Sequence, residues 1–417
     1  MLDYLLDMKK TTQIALLFCL LTAQILSAIQ VPEFTLEDII SLGLEHNPFL
    51  SARTRNATAG EAGYRAARLW QNPTLSYRRG RARSWDGSVE RATEGFSLKQ
   101  PIENPIKRHY RIEIAEHDWR AAEHARDAAR LDVVFQIKKL FFKILLLQSR
   151  EEYARQKEAS IRKLHKLMDT RARLGEVKEL EVIKLLVESL KAGKERKQVH
   201  AELEISRGEL NTILGNRLPA GFALKGRLDF TPALYDESER VAAALRSHPE
   251  LREQRVNVGS AQSIVNYKKW QALPDFELAG FSDKHLDGQG AGIGISLNVP
   301  LWNLGARETQ KARYILQREA RLLNAAELEI SAQVKTAVHR LRLSEEALNI
   351  FYQGLLDQAD KSLRISELSY KQGEISLMDF LDAQRTFFSI WDDFQVALFN
   401  WNKDKAALEK AVGEQQP

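Results

Sequence analysis

The sequence is poor in sulfur: its 417 residues include one cysteine and four methionines. Cys19 lies in an N-terminal apolar run, so a chain that has lost this run contains no cysteine and no disulfide. The large side chains of Leu17 and Phe18 precede it, whereas a lipid-anchored cysteine follows small residues, so we do not expect lipidation. Only Met168 and Met378 lie in the main body of the chain, which offers no row of methionines for a soft metal ion.

Long hydrophobic runs are also missing, and no segment reaches the roughly 20 apolar residues of a membrane-spanning helix. Residues 1–28 instead have the pattern of a secretory signal peptide. A basic segment at residues 8–10 precedes an apolar run at residues 14–21, and a cleavage site of small residues ends at Ala28. We therefore expect an exported protein, with Met8 as an alternative start.

Charge of one sign does not dominate the predicted helices. The chain has 61 Lys and Arg against 56 Asp and Glu, a net charge of +5. The two signs are interleaved along helical stretches, which is typical of solvated helix faces and not of a nucleic-acid-binding patch. The sequence also lacks a glycine-rich phosphate loop, a Gly-x-Ser-x-Gly motif and a paired-cysteine site. We expect no nucleic-acid partner, no cofactor and no enzymatic activity.

The sequence does contain an internal duplication with a period of about 200 residues. Four landmarks occur twice, in the same order and at nearly constant spacing, which a duplication explains. The landmark pairs are Asn47-Pro48 with His248-Pro249, Asn72-Pro73 with Leu273-Pro274, residues 96–102 with 295–301, and Gly175 with Gly373.

Each repeat is predicted to contain two short helices, two strands and a long helical hairpin. The first repeat covers residues 29–215 and the second 238–413, and a linker rich in proline and glycine joins them at 216–237. The predicted elements are strands at about 73–83 and 91–101 with a hairpin at about 105–214, then strands at about 274–284 and 290–300 with a hairpin at about 304–412.

The helices of these hairpins are unusually long. No proline or glycine interrupts the sequence between Pro105 and Leu174, which predicts a helix of roughly 105 Å. One further long helix is predicted over residues 304–372, with Gly354 in its interior. Apolar residues follow steps of three and four from Leu377 to Trp401, the seam of a helix that packs lengthwise. Helices of this length have to lie beside a hairpin partner and beside copies of themselves.

The second and fourth predicted strands have the alternation of transmembrane strands, and the first and third show it more weakly. The first strand carries Arg78, Arg79, Arg81 and Arg83, which fit only a lumen or an extracellular rim. The pattern is clearest in residues 290–300, where apolar side chains alternate with small or polar ones over about ten residues. The apolar set is Ile293, Ile295, Leu297 and Val299, and the other set is Gly292, Gly294, Ser296 and Asn298. Trp70, Trp270 and Trp302 stand at strand ends, as membrane-interface anchors or, alternatively, as ordinary core residues. Four strands cannot close a barrel in lipid, so several copies must share one.

The whole pattern resembles the TolC-like outer-membrane efflux protein family, from about Phe34 to Val412. The resemblance is carried by the duplicated helix starts, the strands that end at Pro101 and Pro300, and the two glycine turns. Its most specific part is the run Leu377-Met378-Asp379-Phe380-Leu381-Asp382-Ala383-Gln384.

The resemblance implies a mainly α fold with a small β part. Three chains would form a 12-stranded β-barrel in the outer membrane of a Gram-negative bacterium, above an α-helical tunnel in the periplasm. Such a homotrimer is a passive exit duct, which docks a periplasmic adaptor protein and, through it, an inner-membrane pump. Residues 66–73 are most similar to the heavy-metal (cobalt–zinc–cadmium) branch, so metal cations or other small toxic solutes are the expected cargo.

By the same resemblance, Asp379 and Asp382 are the acidic residues of a periplasmic gate, where carboxylate rings favour cations. The alternative is that they only stabilise the start of a helix. The basic residue that would hold the gate shut is left open among Arg171, Arg173, Lys178 and Lys371. The expected adaptor-docking residues lie at the two hairpin tips and are Arg173, Leu174, Gly175, Glu176, Gln372, Gly373 and Glu374.

The nine histidines do not indicate a metal site. His117 and His124 lie seven residues apart on a predicted helix, whereas a helical ligand pair is usually four apart. Two other functions stay open at this point. One is a duct for type I protein secretion, and the other is a periplasmic adaptor or scaffold of long hairpins without a pore.

Overall fold

A computed structural model of the chain describes residues 32–232, 235–299, 302 and 304–414. The predicted signal peptide, residues 1–28, lies outside the described residues. The fold is mainly helical with a small sheet, as predicted. The helices are α1 (Leu36–His46), α2 (Pro48–Ala67), α3 (Pro105–Arg173), α4 (Glu179–Ile213), α5 (Glu237–Ser247), α6 (Pro249–Lys269), α7 (Ala306–Ile350), α8 (Leu356–Gln372) and α9 (Leu377–Val412). The strands are β1 (Glu33–Phe34), β2 (Thr74–Arg83), β3 (Glu90–Ile102), β4 (Ala223–Leu224), β5 (Phe276–Lys284) and β6 (Gln289–Leu297).

Asparagine followed by proline sets the start of two helices. The Asn47 side chain accepts a hydrogen bond from the backbone N–H of Leu50 at 2.8 Å, and α2 begins at the next residue. The Asn104 side chain caps α3 in the same way. Proline suits the first helical position, because its missing N–H would have no partner there. From this start α3 runs for 69 residues without interruption.

The helix predicted over residues 304–372 is interrupted. The prediction of one continuous helix is therefore wrong. α7 ends at Ile350, a π-helical segment follows at Phe351–Leu355, and α8 continues from Leu356. Gly354 has a φ of 112° in this segment. Only glycine adopts this backbone conformation without strain, and the π segment absorbs one extra residue in the helical turn. The first repeat has no equivalent break in α3.

Strands β2, β3, β5 and β6 form one antiparallel sheet in that order, so both repeats contribute a hairpin to it. Leu98 pairs with Leu75 on one side and with Gly280 on the other. A separate two-stranded parallel sheet joins β1 to β4. None of the described helices combines the length and hydropathy that a membrane-crossing helix needs.

The register gives the four-stranded sheet one apolar and one polar face, since side chains of paired residues share a face. The apolar face is made of Leu75, Tyr77, Phe96, Leu98, Ile102, Phe276, Leu278, Ile293, Ile295 and Leu297. On the opposite face, Lys99 Nζ lies 2.9 Å from Glu277 Oε1, and the Ser296 hydroxyl donates to the same oxygen at 3.1 Å. The alternation predicted for β6 is therefore shared by the neighbouring strands.

The helices of each repeat surround their own hydrophobic core. Ile39, Ile137, Ile144, Leu203 and Leu210 are fully buried in the first. Residues Leu251, Val334, Val338, Leu341 and Leu348 occupy the second.

In the segment between the repeats, the described residues 216–232 include several that pack against the helical cores. Phe222 lies in the first core, and Leu228 contacts both cores. The Phe230 ring stacks on Tyr352 at 5.4 Å and meets Trp401 edge-on at 5.3 Å. This segment therefore ties the two helical hairpins together beside the π-helical break.

Candidate functional site

The two hairpin tips have the same backbone geometry. Gly175 and Gly373 have φ values of 76° and 77°, in the left-handed region. At each tip the residue after the glycine donates its N–H to a carbonyl five residues earlier. Glu176 donates to Arg171 at 3.0 Å and Glu374 to Ser369 at 2.9 Å. This is the Schellman arrangement that ends many helices, and it favours glycine at the left-handed position.

The fold brings the two tips together, which the sequence did not predict. Five buried residues from α3, α4 and α9 form a small hydrophobic cluster that we call the tip cluster. Its members are Met168, Leu185, Leu377, Phe380 and Leu381. The Tyr370 ring stacks on Phe380 with centroids 5.4 Å apart, and burial raises the pKa of the Tyr370 hydroxyl. The ends of both hairpins are thus one packed unit.

The predicted docking residues form the outer surface of this unit. All seven, Arg173, Leu174, Gly175, Glu176, Gln372, Gly373 and Glu374, are exposed. Leu174 is the largest apolar side chain among them and is 70% exposed. Arg173 pairs with Asp169 one turn back on its own helix at 2.8 Å. The surface is accessible to a partner, and its docking role stays a prediction.

Asp379 stabilises the start of α9. Its carboxylate accepts from the backbone N–H of Ser376 at 3.1 Å and from the Ser376 hydroxyl at 2.6 Å. The Ser376 hydroxyl accepts in turn from the N–H of Asp379 at 3.3 Å. The hydrogen bond from the Ser376 side chain is the largest cause that lowers the pKa of Asp379, followed by that from its backbone. Asp379 is therefore an exposed, ionised capping-box residue.

Asp382 lies one turn further along the same face and is paired with Arg385 at 2.8 Å. The other guanidinium nitrogen of Arg385 lies 3.0 Å from Glu188 on α4. Arg385 therefore joins the second return helix to the first. Burial of Glu188 raises its pKa, but hydrogen bonds and charge from Lys191 and Arg385 outweigh burial, so the pKa is lowered overall.

Arg385 is not one of the four basic residues that the sequence offers as candidates for holding the gate shut. Three of the candidates pair locally instead: Arg171 with Glu176, Arg173 with Asp169 and Lys371 with Glu367. The spacing of Asp382 and Arg385, three residues apart on a helix, is a signal that could have identified the pair. The contact with Glu188, 197 residues away, has no signal in the sequence.

The three tryptophans lie between the sheet and the helices. Trp70 and Trp302 are largely exposed, and Trp270 is exposed to a smaller degree. The Arg108 guanidinium stands 4.8 Å from the centre of the Trp70 ring, so this tryptophan has a cationic neighbour. Their exposure argues against the alternative that these tryptophans are ordinary core residues. Their role as membrane-interface anchors stays a prediction.

A metal centre has no candidate in the part of the chain that the structure describes. No three His, Cys, Asp or Glu side chains in it come together as metal ligands would. His124 is partly buried on α3, and burial is the main cause that lowers its pKa. The two gate carboxylates contact different partners: Asp379 accepts a hydrogen bond from Ser376, and Asp382 forms an ion pair with Arg385.

The sequence matches a known family over most of its length. The sequence model described as "Outer membrane efflux protein" matches residues 39–216 and 241–415. The chain is 24% identical over 356 residues to the cobalt-zinc-cadmium resistance protein CzcC of Cupriavidus metallidurans, with 85% of this chain and 84% of CzcC covered. It is also 24% identical over 363 residues to nodulation protein T of Rhizobium leguminosarum bv. trifolii, with 82% and 75% covered.

Solved structures share the fold. A crystal structure of CusC, described as showing changes that accompany folding and transmembrane channel formation, superposes with a TM-score of 0.76 at 14% identity. That match covers 90% of this chain and 91% of CusC. The outer membrane protein VceC of Vibrio cholerae gives a TM-score of 0.75 at 17% identity, with 91% and 96% covered.

Proposed function

Because the chain belongs to the outer membrane efflux protein family, we propose that three copies form one channel. It serves as the passive exit duct of a tripartite complex driven by an inner-membrane pump. The chain is an outer-membrane protein that extends into the periplasm. Its family is one of efflux proteins, so the alternative of a periplasmic adaptor without a pore has no support.

The observation that carries the proposal is the four-stranded sheet with one apolar and one polar face. In the described part of the chain, β2 and β6 each pair with a single strand, which leaves one side of each strand open. Open strand edges are not tolerated in lipid, where each unpaired backbone group costs several kcal/mol. Joining β2 of one copy to β6 of the next removes both edges, and three copies give a closed 12-stranded barrel.

The helical hairpins supply the second half of the duct. α3 alone is about 100 Å long, so three sets of hairpins would carry the tunnel through the periplasm. At its far end, Asp379 and Asp382 from three copies would form two rings of carboxylates that favour cations. The contact of Arg385 with both Asp382 and Glu188 would hold the resting gate nearly shut.

The proposal extends to the partner and the cargo. The seven exposed tip residues are the proposed docking surface for a periplasmic adaptor protein. Metal cations are the proposed cargo, supported by similarity to CzcC, which is named for resistance to cobalt, zinc and cadmium. Other small toxic solutes and type I secretion of proteins remain alternatives, and growth of a deletion strain on metals and drugs, with assays of secreted proteins, separates them.

Adjacent residues on the two faces of β6 test the assembly. Ile295 lies on the apolar face and Ser296 on the polar face. Arginine on the lipid face of such strands costs about 2–4 kcal/mol, and each trimer would bear it three times. We expect Ile295→Arg to abolish the trimer in outer-membrane extracts, measured by native mass spectrometry in detergent, and Ser296→Arg to preserve it. A mature wild-type chain that is monomeric and soluble without detergent would refute the proposal.

A further inference from the structure

Strand β2 carries four arginines within six residues, and the register of the sheet separates them by face. Arg78 pairs in register with Gly95 and lies on the polar face, where its guanidinium is 3.8 Å from Asp283. The other three lie on the opposite, apolar face. We call them the arginine stripe: Arg79, Arg81 and Arg83.

The arginine stripe continues the apolar face toward the hairpin loop, away from the helices. Leu75 and Tyr77 precede it on the same face, and the Tyr77 ring lies 4.7 Å from that of Phe96 on β3. At about 3.3 Å per residue, Arg83 is roughly 20 Å further along the strand than Tyr77. With this sheet in the outer membrane, as in the proposed function on which this inference rests, the stripe lies at the headgroups of the outer leaflet.

The guanidinium groups of the stripe remain available to a ligand. Their side chains are 69%, 82% and 68% exposed in chain order. Glu94 is 3.8 Å from Arg79, and Glu90 is 3.8 Å from Arg81 and 3.3 Å from Arg83. Two carboxylates thus face three guanidinium groups, each of which has five N–H donors.

The neighbouring strands do not offset this excess of positive charge. Lys284 on β5 pairs in register with Glu94 and adds another cation to the same face. On the same face of β6, the strand that would adjoin β2 of another copy in the proposed barrel, the residues nearest the hairpin loop are Gln289 and Ala291, and neither carries a charge.

We propose that the arginine stripe binds the phosphate groups of lipopolysaccharide in the outer leaflet. Guanidinium groups bind phosphate oxygens in pairs of parallel hydrogen bonds, which suits Arg better than Lys. Arginines two residues apart on one face of a strand present three such groups in a row at about 6.6 Å intervals. The apolar residues below them contact the acyl chains of the same lipid.

The test compares the triple variant Arg79→Gln, Arg81→Gln, Arg83→Gln with Arg78→Gln, which removes the same side chain from the opposite face of the same strand. The full-length protein is placed in phosphatidylcholine nanodiscs with trace diphosphoryl lipid A or with its dephosphorylated form. Binding is measured by native mass spectrometry. We expect wild-type protein and Arg78→Gln to prefer the diphosphoryl form, and the triple variant to bind it about tenfold to 100-fold more weakly.

Three results would overturn the proposal: equal binding of both lipid A forms by the wild type, unchanged binding by the triple variant, or equal loss in Arg78→Gln. Channel conductance of the same preparations separates this inference from the proposed function. If wild-type protein conducts and lipid A binding does not depend on the stripe, only the inference fails. If wild-type protein neither inserts nor conducts, the proposed function fails and the inference fails with it.

Discussion

Leu185→Ala tests whether packing holds the two hairpin tips together. Leu185 on α4 is 0% exposed and belongs to the tip cluster with Leu377 and Leu381 of α9. Replacing a buried leucine by alanine costs about 2–5 kcal/mol, depending on how far the site relaxes. The tip cluster is small and lies at the end of long hairpins, where the structure can relax around the lost side chain. We therefore expect a cost near the lower limit of this range. About 2 kcal/mol corresponds to an increase of about 30-fold in local opening of the tips.

Hydrogen exchange measures this opening directly. We expect amides of residues 377–384 to exchange about 30-fold faster in Leu185→Ala, while those of residues 137–147 in the first core keep their wild-type rates. The matched control is Leu186→Ala, because Leu186 is the next residue and is 44% exposed. The reasoning would be refuted if residues 377–384 of Leu185→Ala exchanged at wild-type rates. It would also be refuted if residues 137–147 of the first core were accelerated equally.

Two further substitutions test charges. Burial is the main cause that lowers the pKa of His248 in the folded chain. Near and below the ordinary histidine pKa, the unfolded chain therefore binds more protons than the folded chain. We expect the melting temperature to fall as the pH is lowered from about 8 to about 5.5. His248→Asn, which copies Asn47 of the first repeat, should lose most of this pH dependence, and an unchanged melting profile would contradict the assignment. Arg385→Gln removes the partner of Asp382 and one of the two cationic partners of Glu188, since Lys191 remains. At about 1 kcal/mol for the lost ion pairs of each copy, resting conductance should rise about fivefold for each kcal/mol lost, as measured in planar bilayers. The control Arg364→Gln on α8, which removes an exposed local pair with Asp360, should leave conductance unchanged.

Local patterns in the sequence predict much of this fold. Gly175 and Gly373 mark both tips, since each ends a helix by a positive φ that few other residues adopt. Alternation around Ile293 and Ile295 predicts a two-faced strand, and the register of β6 with β5 agrees with it. These signals are local because helix caps and strand faces are decided within a few residues.

Contacts between distant segments could not be predicted in this way. Leu185 and Leu381 share the tip cluster, and Arg385 contacts Glu188, although each pair is separated by nearly 200 residues of sequence. Neither local propensity nor spacing specifies such a contact. The break at Gly354 was missed for a related reason. A glycine inside a helix is compatible with regular helix, so Gly354 by itself does not predict the π-helical segment of the structure.

The arginines of β2 show what the register adds to a pattern. The sequence predicts only that they fit a lumen or an extracellular rim. Pairing with β3 assigns Arg78 to the polar face and Arg79, Arg81 and Arg83 to the apolar face. The assignment divides one cluster of charge between the two faces of the sheet.

Single-channel recording in planar bilayers tests the central claim most directly. The full-length wild-type protein is compared with the double variant Asp379→Ala, Asp382→Ala. If three copies form a duct with carboxylate rings at its periplasmic end, the wild type conducts poorly and prefers cations. The double variant then conducts more and loses most of that preference. No channel from the wild type, or wild-type conductance and cation preference in the double variant, would contradict the account.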